Sequence, residues 1–184
     1  MLFKVYLIVD EAHGALYPFS EDLPETSIAY ADFTIQSLHK TAGGINPTAL
    51  LHCNCEINPQ EALDKISTTS PSYPMLATIE ANIKYLNSQR GRNAIKNLIK
   101  EIRQTLDNLN NIDFYGDDIT KILIKKDNIS GEKISDYLFN THQIEDEKTT
   151  EHSTLLLCGL GTTKQMLKKL KKALNKLNTK ETFD

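Results

Sequence analysis

Across 184 residues there is no apolar run long enough to cross a bilayer, no G-x-x-x-x-G-K-[ST] phosphate loop, no internal repeat and no low-complexity tract. The first absence excludes a membrane-spanning helix and leads us to expect a soluble product without a membrane partner. The apolar opening Leu2-Phe3-Lys4-Val5-Tyr6-Leu7-Ile8-Val9 has the length of a buried strand and ends in acids, so it reads as a strand and not as a secretion signal. Cysteine is scarce. Cys53 and Cys55 form a C-x-C, Cys158 stands alone, and no second pair completes a metal-ligand spacing. Buried or half-buried free thiols in a reducing compartment are the expectation. Positive charge is not in excess either: 21 Lys and Arg stand against 24 Asp and Glu, a net charge of −3, which argues against nucleic acid or an anionic membrane as the main partner.

The length suits one domain, or one domain with a small appendage. Strands are predicted over 2–9, 32–36 and 48–53. A helix opens at Pro59 with Asn58 as its cap and stops near Thr68-Thr69-Ser70-Pro71. A helical stretch then runs over 73–109, with apolar residues from Leu76 to Leu106 at helical spacing, and Gly91 is expected to break or bend it. The Asn- and Asp-rich segment 108–118 reads as a linker. Beyond it the pattern predicts strand 121–124, helix 130–140, strand 154–157 and helix 162–177, a small α+β arrangement. The last helix interleaves Lys164, Lys168, Lys169, Lys171, Lys172 and Lys176 with apolar positions and reads as the solvated outer face of a docked helix, with Glu145-Asp146-Glu147 as a possible complement. His52, His142 and His152 have no ligand spacing and read as structural or exposed.

Chemistry concentrates in the first forty residues. One apolar strand runs into Asp10-Glu11-Ala12-His13-Gly14, and a second ends at Ser37-Leu38-His39-Lys40-Thr41. An acid at one strand end and a lysine at the next suit pyridoxal phosphate (PLP), whose pyridine nitrogen is kept protonated by a carboxylate and whose aldehyde forms a Schiff base with an amine. Alone, Asp10 could be a turn former and Lys40 a solvated surface residue.

Together with Thr68-Thr69-Ser70-Pro71-Ser72-Tyr73-Pro74, these blocks resemble the PLP-dependent ornithine/lysine/arginine decarboxylases of fold type I, in the same order and at similar spacing. The resemblance implies an α/β chain: 1–110 as the later part of the PLP-binding large domain and 111–184 as a small α+β carboxy-terminal domain. It implies Lys40 as the Schiff-base lysine, Asp10 at the pyridine nitrogen, Ala12 against the ring, Ser37 and His39 near the cofactor phosphate or the lysine, and His13 lining the site. It also implies a homodimer, with Thr68 reaching towards the neighbour's phosphate. The activity implied is removal of the α-carboxylate of a basic amino acid, giving a polyamine precursor.

The family's phosphate loop and ring-stacking histidine precede the strand that ends in Asp10, so this chain is expected to be a truncated form lacking the amino-terminal half, with exposed sheet edges. Two alternatives follow: a non-catalytic remnant or assembly partner of a full-length relative or a separate amino-terminal half, and a DEAH-type ATPase fragment. In the latter Asp10 would hold magnesium and Glu11 would activate water. The block Ser37-Leu38-His39-Lys40 favours the decarboxylase. Heavy use of Lys, Asn and Ile suggests an AT-rich genome, and the cytoplasm or a plastid stroma as the compartment.

Overall fold

The computed structural model describes residues 5–109 and 112–177, which divide into two compact units meeting in sequence between Asn93 and Ala94. In the first unit, β1 (Ile8–Asp10), β2 (Phe33–Ser37) and β3 (Ala49–Cys53) form a sheet in that order. β1 runs parallel to β2, with Asp10 opposite Ile35, and β3 is antiparallel to β2, with Ala49 opposite Ser37. The first strand is shorter than the predicted 2–9. The Leu7 N–H is taken by the Asp32 carboxylate at 2.8 Å, which closes the ladder at its start; residues 2–4 lie outside the described residues. Among the described residues β1 pairs on one side only, and Val5, Leu7 and Ile8 are exposed.

The connection from β1 to β2 winds through three 3-10 turns, Ala12–Gly14, Tyr17–Phe19 and Ser27–Ala29, and buries Ala15, Leu16, Leu23 and Ala31. At its far end β2 passes directly into a single helical turn, α1 (Leu38–Thr41). Gly43, at φ 77°, then supplies the left-handed turn that brings the Gly44 N–H back to the Leu38 carbonyl at 3.0 Å.

α2 (Gln60–Ile66) starts where expected, because the Asn58 side-chain Oδ1 accepts the Gln60 N–H at 3.0 Å beside Pro59. The predicted helical stretch is two helices, α3 (Tyr73–Asn87) and α4 (Gln89–Leu106), and the break falls at Ser88, not Gly91. The Ser88 hydroxyl accepts the Gly91 N–H at 3.1 Å and caps α4. Gly91 instead permits a close approach: a Cβ there would sit 2.1 Å from the Tyr85 carbonyl oxygen.

The second unit is an antiparallel sheet in the order β4 (Ile112–Tyr115), β5 (Asp118–Ile124), β7 (Thr154–Leu157), β6 (Lys148–Thr149), with α5 (Gly131–His142) and α6 (Lys164–Leu177). Much of the predicted 108–118 linker is therefore a strand, returned by a tight turn in which Gly116 has φ 56°. Ser130 caps α5 through the Lys133 N–H. Ile122, Ile124, Ile134, Leu138, Leu167 and Leu174 form the centre of its core. The apolar stripe of α6 is buried and its lysines face outward, as the spacing predicts. Lys164 pairs with Glu101 at 2.9 Å. Within the acidic stretch, Asp146 is engaged by the hydroxyls of Ser135 and Thr149.

Candidate functional site

Parallel pairing of β1 and β2 puts both carboxyl ends on one side of the sheet, the side on which open α/β folds bind ligands. The chain leaves β1 through Asp10 into the Ala12–Gly14 turn, and leaves β2 through Ser37 into α1. Asp10 Oδ1 accepts the Ala12 N–H at 3.0 Å, so its carboxylate is oriented by the turn that follows it. The two turns meet through Lys40, whose Nζ lies 3.0 Å from His13 Nε2, and through Thr41, whose hydroxyl donates to the His13 carbonyl at 3.3 Å. An ammonium has only donors, so this contact requires Nε2 to be the acceptor nitrogen while Lys40 is charged.

His39 faces the other way along α1. Its Nδ1 lies 2.9 Å from the Thr48 carbonyl oxygen and 3.3 Å from the Thr48 backbone nitrogen, so Nδ1 finds a partner on Thr48 in either neutral tautomer. Ser37 is buried at the end of β2 and makes no side-chain cap to α1. Thr68 is not gathered with these residues: it lies in the exposed link between α2 and α3, its hydroxyl accepting the Ser70 N–H at 3.3 Å.

Behind the turns lies a polar network that our sequence analysis missed. Glu11 Oε1 accepts the Ser27 N–H at 2.8 Å, and Oε2 accepts the Thr26 hydroxyl at 2.7 Å and the Gln36 amide at 2.6 Å. Gln36, 2 % exposed, also donates to the Gly14 carbonyl at 3.2 Å, and its Oε1 meets His52 Nε2 at 3.2 Å. Desolvation lowers the His52 pKa below its ordinary value, with the Glu11 charge opposing. The available signal was alternation: in Phe33-Thr34-Ile35-Gln36 the polar side chains share one face, and that face is buried.

The family description "Orn/Lys/Arg decarboxylase, major domain" matches residues 2–127. The chain belongs to that family. It is 31% identical to an arginine decarboxylase of Halalkalibacterium halodurans over 94% of its own length and 39% of the relative's. An arginine decarboxylase of Bacillus subtilis is 28% identical over 95% and 40%. This chain thus spans about two fifths of the curated relatives it matches. Among solved structures, the E. coli constitutive lysine decarboxylase superposes with a TM-score of 0.75 at 18% identity, covering 92% of this chain and 32% of that one. A Francisella novicida lysine decarboxylase gives 0.73 at 23% identity, over 92% and 32%. The expected fold class, part of a fold type I large domain with α+β structure after it, is therefore the observed one.

Proposed function

We propose that this chain carries the lysine-bearing part of a PLP site in a decarboxylase of basic amino acids. The observation that carries the reading is the 3.0 Å contact of Lys40 Nζ with His13 Nε2, on adjoining turns at the carboxyl ends of two parallel strands. The side chains fit the group: a carboxylate for a ring nitrogen, an amine for an aldehyde, and a hydroxyl and imidazole for a phosphate all lie on the two turns that leave β1 and β2.

Asp10 is assigned to the pyridine nitrogen, Lys40 to covalent attachment, Ala12 to the ring face, and Ser37 and His39 to the phosphate side. When bound, PLP supplies an electron sink for the charge left on the α-carbon as the carboxylate departs as carbon dioxide. His13 Nε2 holds the Lys40 amine in one orientation and can take its proton, so that the amine becomes a nucleophile. Thr41 fixes the His13 backbone, and the Ala12 N–H fixes Asp10. The substrate class is arginine, lysine or ornithine.

A homodimer fits the same reading, with Thr68 serving the neighbouring copy's site. The exposed Ile66, Tyr73 and Leu76 around it support an apolar contact there. The test is a PLP titration of the purified chain, followed by visible absorbance and by carbon dioxide release from the three amino acids. The wild type should develop a visible band that Lys40→Ala abolishes and Asp10→Asn shifts or weakens. No band in the wild type would sink the cofactor reading. A Lys40-dependent band without carbon dioxide release would favour the assembly-partner alternative.

A further inference from the structure

We propose that Cys53 and Cys55 are a redox-active dithiol, an oxidation site at the end of β3 that closes reversibly to a C-x-C disulfide. In a straight strand side chains two residues apart share a face at a spacing of roughly 7 Å. Here the chain bends at Cys55, and the two Sγ atoms lie 3.9 Å apart. Bonding needs a further approach of roughly 2 Å.

The residue between them is anchored. The Asn54 N–H donates to the Asp32 carbonyl at 2.9 Å, and its side-chain amide donates to the carbonyls of Ala31, at 3.2 Å, and Ile28. That grip holds the bend and leaves both sulfurs together. Cys55 is half-buried, within the expectation of buried or half-buried thiols, whereas Cys53 departs from it and is exposed, which makes Cys53 the sulfur an oxidant meets first. Cys53 Sγ also points at the Ile57 carbonyl, 3.2 Å away, so the pair closes a small loop on its own backbone. Desolvation raises the Cys55 thiol above its ordinary value and pushes the buried Cys158 thiol further, to about 11; Cys158, with no second sulfur beside it, stays protonated and inert.

The oxidant is a low-molecular-weight disulfide. The Cys53 thiolate attacks one of its sulfurs, forming a mixed disulfide and releasing one thiol. The Cys55 thiolate then attacks Cys53 Sγ, forming the Cys53–Cys55 bond and releasing the second thiol. Two electrons and two protons pass from the pair to the oxidant, and a dithiol reductant reverses the exchange.

The experiment incubates the full chain in glutathione/glutathione disulfide mixtures of increasing disulfide fraction, quenches with an alkylating reagent and maps the cysteines by mass spectrometry. The expected result is joint protection of Cys53 and Cys55, a mass loss of two hydrogens and full reversal by dithiothreitol. Cys53→Ser should abolish protection of Cys55, and Cys55→Ser should trap a glutathione adduct on Cys53. Slow alkylation of Cys158 without denaturant reports that each variant is folded. Independent alkylation of the two thiols at every ratio, a persistent glutathione adduct on the wild type, or disulfide-linked dimers in place of the internal bond would overturn the proposal.

Discussion

Gln36 shows how much a single side chain can organise here. Its amide ties together the Glu11 carboxylate, the Gly14 carbonyl and the His52 ring, and so joins the turn after β1 to both β2 and β3. Gln36→Leu keeps the volume and removes every one of these bonds, leaving buried acceptors unsatisfied. A loss of about 1–3 kcal/mol in denaturant-induced unfolding is expected; an unchanged midpoint would show the network to be incidental. His52 adds a pH dependence. Its folded pKa lies below the ordinary value, so on acidification the unfolded chain binds the proton first and stability falls as pH drops through about 6.5. His52→Gln should make the stability profile between about pH 7 and pH 5 shallower than that of the wild type. The placement of Asp10, His13 and Lys40 on the turns that leave two strands was legible in the sequence, because each follows an apolar run of strand length. Glu11, Gln36 and His52 were not, because a glutamine in a strand says nothing until the face it occupies is known to be buried.

Among the elements, the helices of the second half were the easiest to foresee, since Leu167, Leu170, Leu174 and Leu177 repeat at helical spacing and all prove buried. The β4 strand was hidden behind the Asn and Asp residues that flank it, which carry a linker's composition although Ile112–Tyr115 pairs with β5. The α3–α4 junction illustrates a different limit. A glycine within a helical pattern invites the inference of a break, whereas here a serine hydroxyl makes the break and the glycine admits a carbonyl. In an ordinary helix interior Gly→Ala stabilises by about 0.5–1 kcal/mol. At Gly91 the sign should reverse, because the new methyl would overlap the Tyr85 carbonyl oxygen and force the junction apart, at a cost of about 1–3 kcal/mol. Thermal unfolding of Gly91→Ala decides the matter, and a raised midpoint would refute the close approach.

At the scale of the molecule, two units with separate sheets lie along one chain, and the candidate site belongs wholly to the first. β1 pairs on one side among the described residues and leaves Val5, Leu7 and Ile8 exposed, an edge on which a further strand could pair. The blocks around Asp10, Lys40 and Thr68 carried the family because their order and spacing are kept in the sequence, and the family match over residues 2–127 includes all three. The proposed site turns on Lys40 as the residue to which PLP is joined. It is tested most directly by reducing the PLP-treated protein with borohydride and mapping the modified lysine by mass spectrometry. Label confined to Lys40 and lost in Lys40→Ala is the expected result. No label, or label scattered over the lysines of α6 and other exposed positions, would contradict it.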